Sequence, residues 1–186
     1  MRSAVPDDAT VPLRGEGAPE VGELIASHYR MCFACGSDHP SGLHLRVTAG
    51  PQVSVIGELV IGEHHQGAPG LAHGGVIATA MDEMMGSLQI LIRKPAVTAH
   101  LETDFHRPVP VGTTLRVEAR AIGQVGRKVY CEALAFADGD RVVSAAAVFI
   151  QVPIEHFTTQ GDPELVQRAK DERRTGSPRW WGEVNP

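Results

Sequence analysis

Gly70-Leu71-Ala72-His73-Gly74-Gly75-Val76-Ile77-Ala78-Thr79-Ala80-Met81-Asp82-Glu83 begins a helical pattern that runs on to about Ile92. Ile77, Met81, Met84, Met85 and Leu88 recur at helix spacing. Ala78 and Ala80 permit close packing, and Pro95 closes the run. A helix this apolar has to be wrapped on most of its sides. Two of its details bear on chemistry. A histidine and two glycines stand where the helix starts, and a bare backbone amide there can hold a developing negative charge. A carboxylate, Asp82, stands among the apolar residues, where it can serve as a base or a nucleophile. Together they point to chemistry at a carbonyl.

The sequence around the helix reads mostly as strands. Leu43 to Val47 alternates, and Val53 to Ile61 is its antiparallel mate across Gly50-Pro51. After the helix come Val97 to Phe105, Thr114 to Val125, Lys128 to Asp138 and Arg141 to Val152. Val125-Gly126-Arg127 and Asp138-Gly139-Asp140 are tight-turn signals between consecutive strands. One helix on a strongly bent antiparallel sheet is an α+β arrangement. Such a sheet leaves an edge strand unpaired, and pairing two edges covers both, so a two-fold dimer follows.

Residues 1–30 are expected to form an N-terminal arm and a short helix. The arm, 1–18, is rich in Pro, Gly, Asp and Glu and reads as mobile. The helix, 19–30, would carry Val21, Leu24, Ile25 and His28 on one face. Residues 31–153 make the main domain, opening on a turn-rich loop from Cys32 to Gly42, and 154–186 a polar tail. In the tail Pro163 to Arg174 reads as a charged surface helix, and Trp180-Trp181 as an anchor.

The 186 residues fit one domain, with 42% apolar and 21% charged residues, enough for a real core. A net charge of -5 argues against non-specific nucleic-acid binding. No apolar run reaches membrane-spanning length, the start lacks the apolar core of a signal peptide, and three cysteines make no disulfide framework. The expected location is the cytoplasm.

Gln66-Gly67-Ala68-Pro69-Gly70-Leu71-Ala72-His73-Gly74-Gly75, continuing to Asp82, resembles the signature of hotdog-fold acyl-CoA thioesterases. The resemblance is closest to their PaaI-like branch and its mammalian thioesterase-superfamily relatives. Val97 to Gly112, and Cys32-Phe33-Ala34-Cys35-Gly36 with Pro40-Ser41-Gly42-Leu43, resemble other segments of the same group. The likeness extends over roughly residues 32–152. It implies a hotdog fold, one long central helix wrapped by a curved antiparallel sheet of five to six strands, and hydrolysis of an acyl-CoA to free acid and CoA.

The Gly74 amide, next to His73 and Gly75, suits the carbonyl oxygen as it becomes negative. Family analogy makes Asp82 the base or nucleophile and Thr98 the hydroxyl that assists water. Asp82 lies about 12 Å along the helix from Gly74, at roughly 1.5 Å per residue. One carbonyl cannot readily touch both, so Gly74 of one chain is expected to meet Asp82 and Thr98 of the other in a homodimer or a dimer of dimers. The family's Asn upstream of the His is replaced by Gly67, leaving Gln66, with His65 behind it, as candidate second oxyanion donor. His39 stands where an Asn before the Pro is common. Met81 is a candidate for the acyl tunnel, and Arg107, Arg127 and Lys128 for the phosphates of CoA.

Other residues receive plainer readings. Glu83 is expected to face solvent or the dimer seam, and Cys131 to fill core. Cys32 and Cys35 have the spacing of half a zinc site that His39 and His44 could complete on paper. The family motif accounts for them without metal, so no metal and no cofactor are assigned, CoA being part of the substrate. Two alternatives stand beside the thioesterase: a non-catalytic acyl-CoA-binding protein and a hotdog hydratase. The sequence Asp38-His39-Pro40 through His44 lacks the Asn and the spacing of the hydratase motif.

Overall fold

The computed structural model describes residues 3–174. The chain forms β1 (Leu24–Ile25), β2 (Arg46–Ala49), β3 (Ser54–Val60), β4 (Gln66–Ala68) and β5 (Leu71–Ala72). Then come α1 (Gly74–Ile92), β6 (Ala96–Phe105), β7 (Thr114–Val125), β8 (Lys128–Ala137) and β9 (Asp140–Gln151). Two helices, α2 (Glu155–Gln160) and α3 (Pro163–Arg174), follow. Seven strands make one antiparallel sheet in the order β1-β2-β3-β7-β8-β9-β6, and β4 and β5 pair separately. The expected five to six strands become seven because β1, only two residues long, adds to the β2 edge.

The sheet bends around α1. Leu115, Val117 and Ala119 of β7, Val129, Cys131, Ala133 and Ala135 of β8, and Val143 and Ala147 of β9 are buried at alternate positions. Against them lie Ile77, Met81, Met84, Met85, Leu88 and Leu91 of α1, none more than 3% exposed. Each such side chain contributes about 1.5–3 kcal/mol by leaving water. Gly57 of β3 lets the helix come close: a Cβ there would lie 2.6 Å from Met84 Sδ and 2.9 Å from the Arg46 carbonyl oxygen. By length and hydropathy α1 alone among the described helices could cross a membrane, but it is the enclosed core helix.

The helix ends are built locally. His73 caps the start, its Nδ1 accepting from the Gly75 amide at 2.9 Å. Arg93, left-handed at φ 63°, ends α1 by donating its amide to Gln89 and Ile90 carbonyls, and Pro95 follows.

Three expectations are corrected. No helix forms over 19–30: Gly22 is left-handed at φ 89°, and Gly22 and Glu23 exchange main-chain hydrogen bonds with Ala49, which draws this segment onto the sheet edge. The strand expected from Leu43 begins only at Arg46, because His44 is left-handed at φ 50°. The arm is strapped to the body. Thr10 and Gln124 exchange backbone hydrogen bonds, the Gly15 amide donates to Leu91, and Arg14 donates to the Gly50 carbonyl. The surface helix expected from Pro163 to Arg174 is α3. Trp180-Trp181 lies outside the described residues.

Candidate active site

The candidate groups lie at the start and the middle of α1, against the two ends of β6. At the helix start, the Val76 and Ile77 amides bond to the His73 carbonyl and the Gly75 amide to the His73 ring. The Gly74 amide has no hydrogen-bond partner among the described residues. It opens onto a groove lined by Ala72, Phe105, His106 and Arg107. The Phe105 ring, 52% exposed, lies against Gly74, where a Cβ would come within 3.4 Å of it. An anion in that groove meets a free N–H and the positive end of a long helix.

Two turns further, Asp82 accepts a hydrogen bond from the Thr98 hydroxyl at 2.9 Å. Burial pushes the Asp82 carboxyl above its ordinary range; the Thr98 hydrogen bond opposes this, and the charges of Glu83 and Cys32 add to it. Both residues line a cavity of about 530 Å³. Its walls include Ile90, Ala96, Phe149, Phe157 and Leu165, apolar enough to hold an acyl group. None of the residues around Gly74 lines this cavity. Within one chain the amide and the carboxylate therefore serve different spaces.

The remaining candidates separate. The Gln66 side chain closes its own loop, donating to the Glu63 carbonyl at 2.9 Å and accepting from the Gly70 amide at 2.6 Å. His65 Nδ1 accepts from Gly62. A Cβ at Gly67 would lie 2.7 Å from the His73 ring and 2.9 Å from its Cα, so no larger residue fits there with His73 in this position. Met81 is wholly buried and lines neither cavity. Arg107 pairs with Asp140 beside the Gly74 groove. Arg127 donates to the Gln151 carbonyl. Lys128 lies two strands from Val97, through Ile150. Arg127 and Lys128 thus stand at the Thr98 end of the sheet and Arg107 at the Gly74 end.

Two features escape a reading of the sequence. Gln89 lines the acyl-sized cavity at 3% exposure, and its amide nitrogen and oxygen have no hydrogen-bond partner among the described residues. Its signal was a polar residue four beyond Met85, on the apolar face. The second is a cluster. His28, Cys32, Cys35 and Glu83 bring one ligand atom each to within 4.8 Å of one another. Glu83, expected at solvent or the seam, is turned inward, its side chain 14% exposed and 3.4 Å from His28 Nδ1. Burial works against a charge on His28, yet hydrogen bonds to Cys32 and Glu83 raise it to about 9. The Cys35 thiol and His28 hold Cys32 down at about 3, and the same bond with burial pushes Cys35 well up. His39 and His44 are elsewhere: His39 stacks edge-on against Phe33, and His44 Nδ1 lies 2.8 Å from the Gly36 carbonyl. No spacing rule links residues 28, 32 and 35 to 83.

A curved antiparallel sheet centred on one long helix, with an unpartnered amide at the helix start and a half-buried carboxylate along it, is the arrangement of a hotdog fold. A family model described as the thioesterase superfamily matches residues 69–144. Acyl-coenzyme A thioesterase THEM4 of Xenopus laevis is 31% identical over 93 residues, 49% of this chain and 42% of that protein. A Pseudomonas aeruginosa protein named as an esterase is 30% identical over 105 residues, 55% of this chain and 78% of its own length. The crystal structure of a thioesterase superfamily protein superposes with a TM-score of 0.62 at 27% identity, over 73% of this chain and 70% of that one. The chain belongs to the thioesterase superfamily. The match spans about two fifths of the length of the THEM4 relative.

Proposed function

We propose that the protein is an acyl-CoA thioesterase acting as a homodimer. The observation that carries this reading is the Thr98–Asp82 hydrogen bond at the wall of an apolar cavity large enough for an acyl chain. The strand geometry supplies the missing oxyanion donor. Among the described strands β6 pairs only with β9, so its other edge is open. Thr98, beside Asp82, and Phe105, beside Gly74, lie seven residues apart on β6, about 23 Å at 3.3 Å per residue. Antiparallel pairing of two β6 edges about a two-fold axis near the middle of the strand brings the Thr98 end of each beside the Phe105 end of its partner. The carboxylate of one chain then faces the partner's Gly74 amide. Arg107 from one chain and Arg127 and Lys128 from the other gather around the same composite site, suited to the phosphates of CoA.

In this site the Asp82 carboxylate takes a proton from a water that the Thr98 hydroxyl helps to hold. The water oxygen adds to the thioester carbon, and the C=O electron pair moves to the oxygen facing the Gly74 amide. Collapse of that oxyanion breaks the C–S bond, and the proton returns from Asp82 to the leaving thiolate. Direct attack by Asp82, through an anhydride that water then opens, uses the same atoms. Single turnover in ¹⁸O water separates the two, since only the anhydride path carries label into the Asp82 side chain. The three cysteines form no disulfide, which suits a reducing, cytoplasmic setting.

The test is thiol release over a panel of acyl-CoAs. Wild type is expected to turn over at least one class, and Asp82→Asn to lose about 100-fold or more in kcat. Equal rates for the two proteins would remove Asp82 from the chemistry.

A further inference from the structure

We propose that His28, Cys32, Cys35 and Glu83 form a tetrahedral zinc site that fastens the N-terminal loop to α1 beside Asp82. The inference rests on these four residues alone and stands apart from the thioesterase reading.

The ligand set comes first. One imidazole, two thiols and one carboxylate are all zinc donors, and four protein ligands make the closed shell of a structural site. Two sulfurs select a soft or borderline metal over magnesium or calcium. Next is the geometry. Bonds of about 2.0–2.3 Å around a tetrahedral zinc imply ligand-to-ligand edges of about 3.3–3.8 Å. His28 Nδ1 lies 3.4 Å from Glu83 Oε1 and 3.3 Å from Cys35 Sγ, and Cys32 Sγ lies 3.7 Å from Glu83 Oε2. The His28–Glu83 and His28–Cys35 separations match two edges of that tetrahedron, and Cys32 Sγ lies beside the second oxygen of the same carboxylate.

The supports around the cluster fit a metal as well. Cys32 and Cys35 sit on a tight turn closed by a hydrogen bond from the Gly36 amide to the Cys32 carbonyl at 2.8 Å. A Cβ at Gly36 would lie 2.4 Å from the Arg30 carbonyl and 2.5 Å from that of Cys32, so the turn tolerates only glycine. It aims both sulfurs to one side. The Ser27 hydroxyl lies 3.3 Å from Cys35 Sγ, a hydrogen-bonding group outside the ligand shell. A disulfide would account for the two cysteines only. It gives no reason for an imidazole and an inward-turned carboxylate, from a different part of the chain, to converge on the same point. A divalent ion unites all four, and it places two thiolates and a carboxylate around compensating charge in a half-buried corner.

The consequence is mechanical. Glu83 adjoins Asp82 on α1, and His28, Cys32 and Glu83 all line the acyl-sized cavity. The ion would hold that wall to the core helix.

The test is metal content by elemental analysis of the full chain purified without chelator, followed by cobalt substitution of the reduced apoprotein. About one zinc per chain is expected, as is a cobalt form with thiolate charge-transfer bands and the strong visible bands of tetrahedral coordination. Cys32→Ser and Cys35→Ser should each weaken cobalt binding by more than about 100-fold, beyond the cost of an outer-shell change. Asp82→Asn should keep the full complement. If the cysteine variants fail to fold, wild type alone decides: zinc should shield two of its thiols from a thiol reagent, and chelation should expose them and lower Tm. Failure of the reduced wild type to take up one equivalent of zinc or cobalt overturns the proposal. So does cobalt binding that survives both cysteine substitutions. Neither result depends on turnover.

Discussion

At Gly67, where the resemblance places an Asn, this chain leaves no room for a side chain. The ring and Cα of His73 occupy the space that a Cβ would need. Gln66 does not substitute for it, because its amide is spent on Glu63 and Gly70. Among the described residues at the start of α1, the Gly74 amide stays without a partner and is the donor we propose for the oxyanion. Gln89 poses the opposite case, a buried amide group that nothing in the described chain satisfies. Such a group costs about 1–3 kcal/mol. Gln89→Leu, close to it in volume, is expected to raise stability by about 1 kcal/mol in urea unfolding. It should also lower KM for acyl chains that are apolar to the tip relative to those ending in a polar group. A loss of stability on this change would mean that the amide has a partner in the folded protein.

The α1 helix and the sheet are matched at the level of elements. The strands facing α1 are rich in alanine, and the helix fills the space with Met84, Met85 and Leu88. Gly57 is the closest point of contact, where the Met84 sulfur occupies the place of a side chain. Gly57→Ala pushes against the Arg46 backbone as well as a flexible thioether, and is expected to destabilise by about 1–3 kcal/mol in urea unfolding. An unchanged unfolding midpoint would show that α1 can move off the sheet at no cost. The helix was legible in the sequence from Gly74 to about Ile92, since its period and the Pro95 beyond it are local signals. The long hairpin strands were legible for the same reason, with Gly126 and Gly139 taking up the left-handed turns between them. The segment over 19–30 was misread as a helix because its pairing with Ala49, some 27 residues away, outweighs a weak local period.

Over the whole molecule, the division of Gly74 and Asp82 between two cavities makes a sharp prediction. Gly74 is the first residue of α1 and follows an extended His73, a position that accepts proline. Gly74→Pro removes the amide and should cost about 100- to 1000-fold in kcat while the chain still folds. Mixing it with Asp82→Asn and letting chains re-pair gives hybrids with one site wholly intact. With half the dimers hybrid and one of two sites working, about a quarter of wild-type activity should return. No recovery on mixing would place the amide and the carboxylate of each site in the same chain.

The sequence by itself determined what depends on near neighbours: the buried helix, its capped start, the hairpins and the carboxylate within the apolar run. It also set Gly74 and Asp82 about 12 Å apart along one helix at roughly 1.5 Å per residue, the ground for expecting a shared site between two chains. Only the tertiary structure decided which side chains meet across the fold. Thr98 reaches Asp82 because β6 returns along the helix, and Glu83 meets His28 and the cysteines because a loop 51 residues from it in sequence, at Cys32, packs there. Periodicity records which face of an element is buried. It carries no record of which distant loop covers that face, and the cluster at Glu83 is made by that packing.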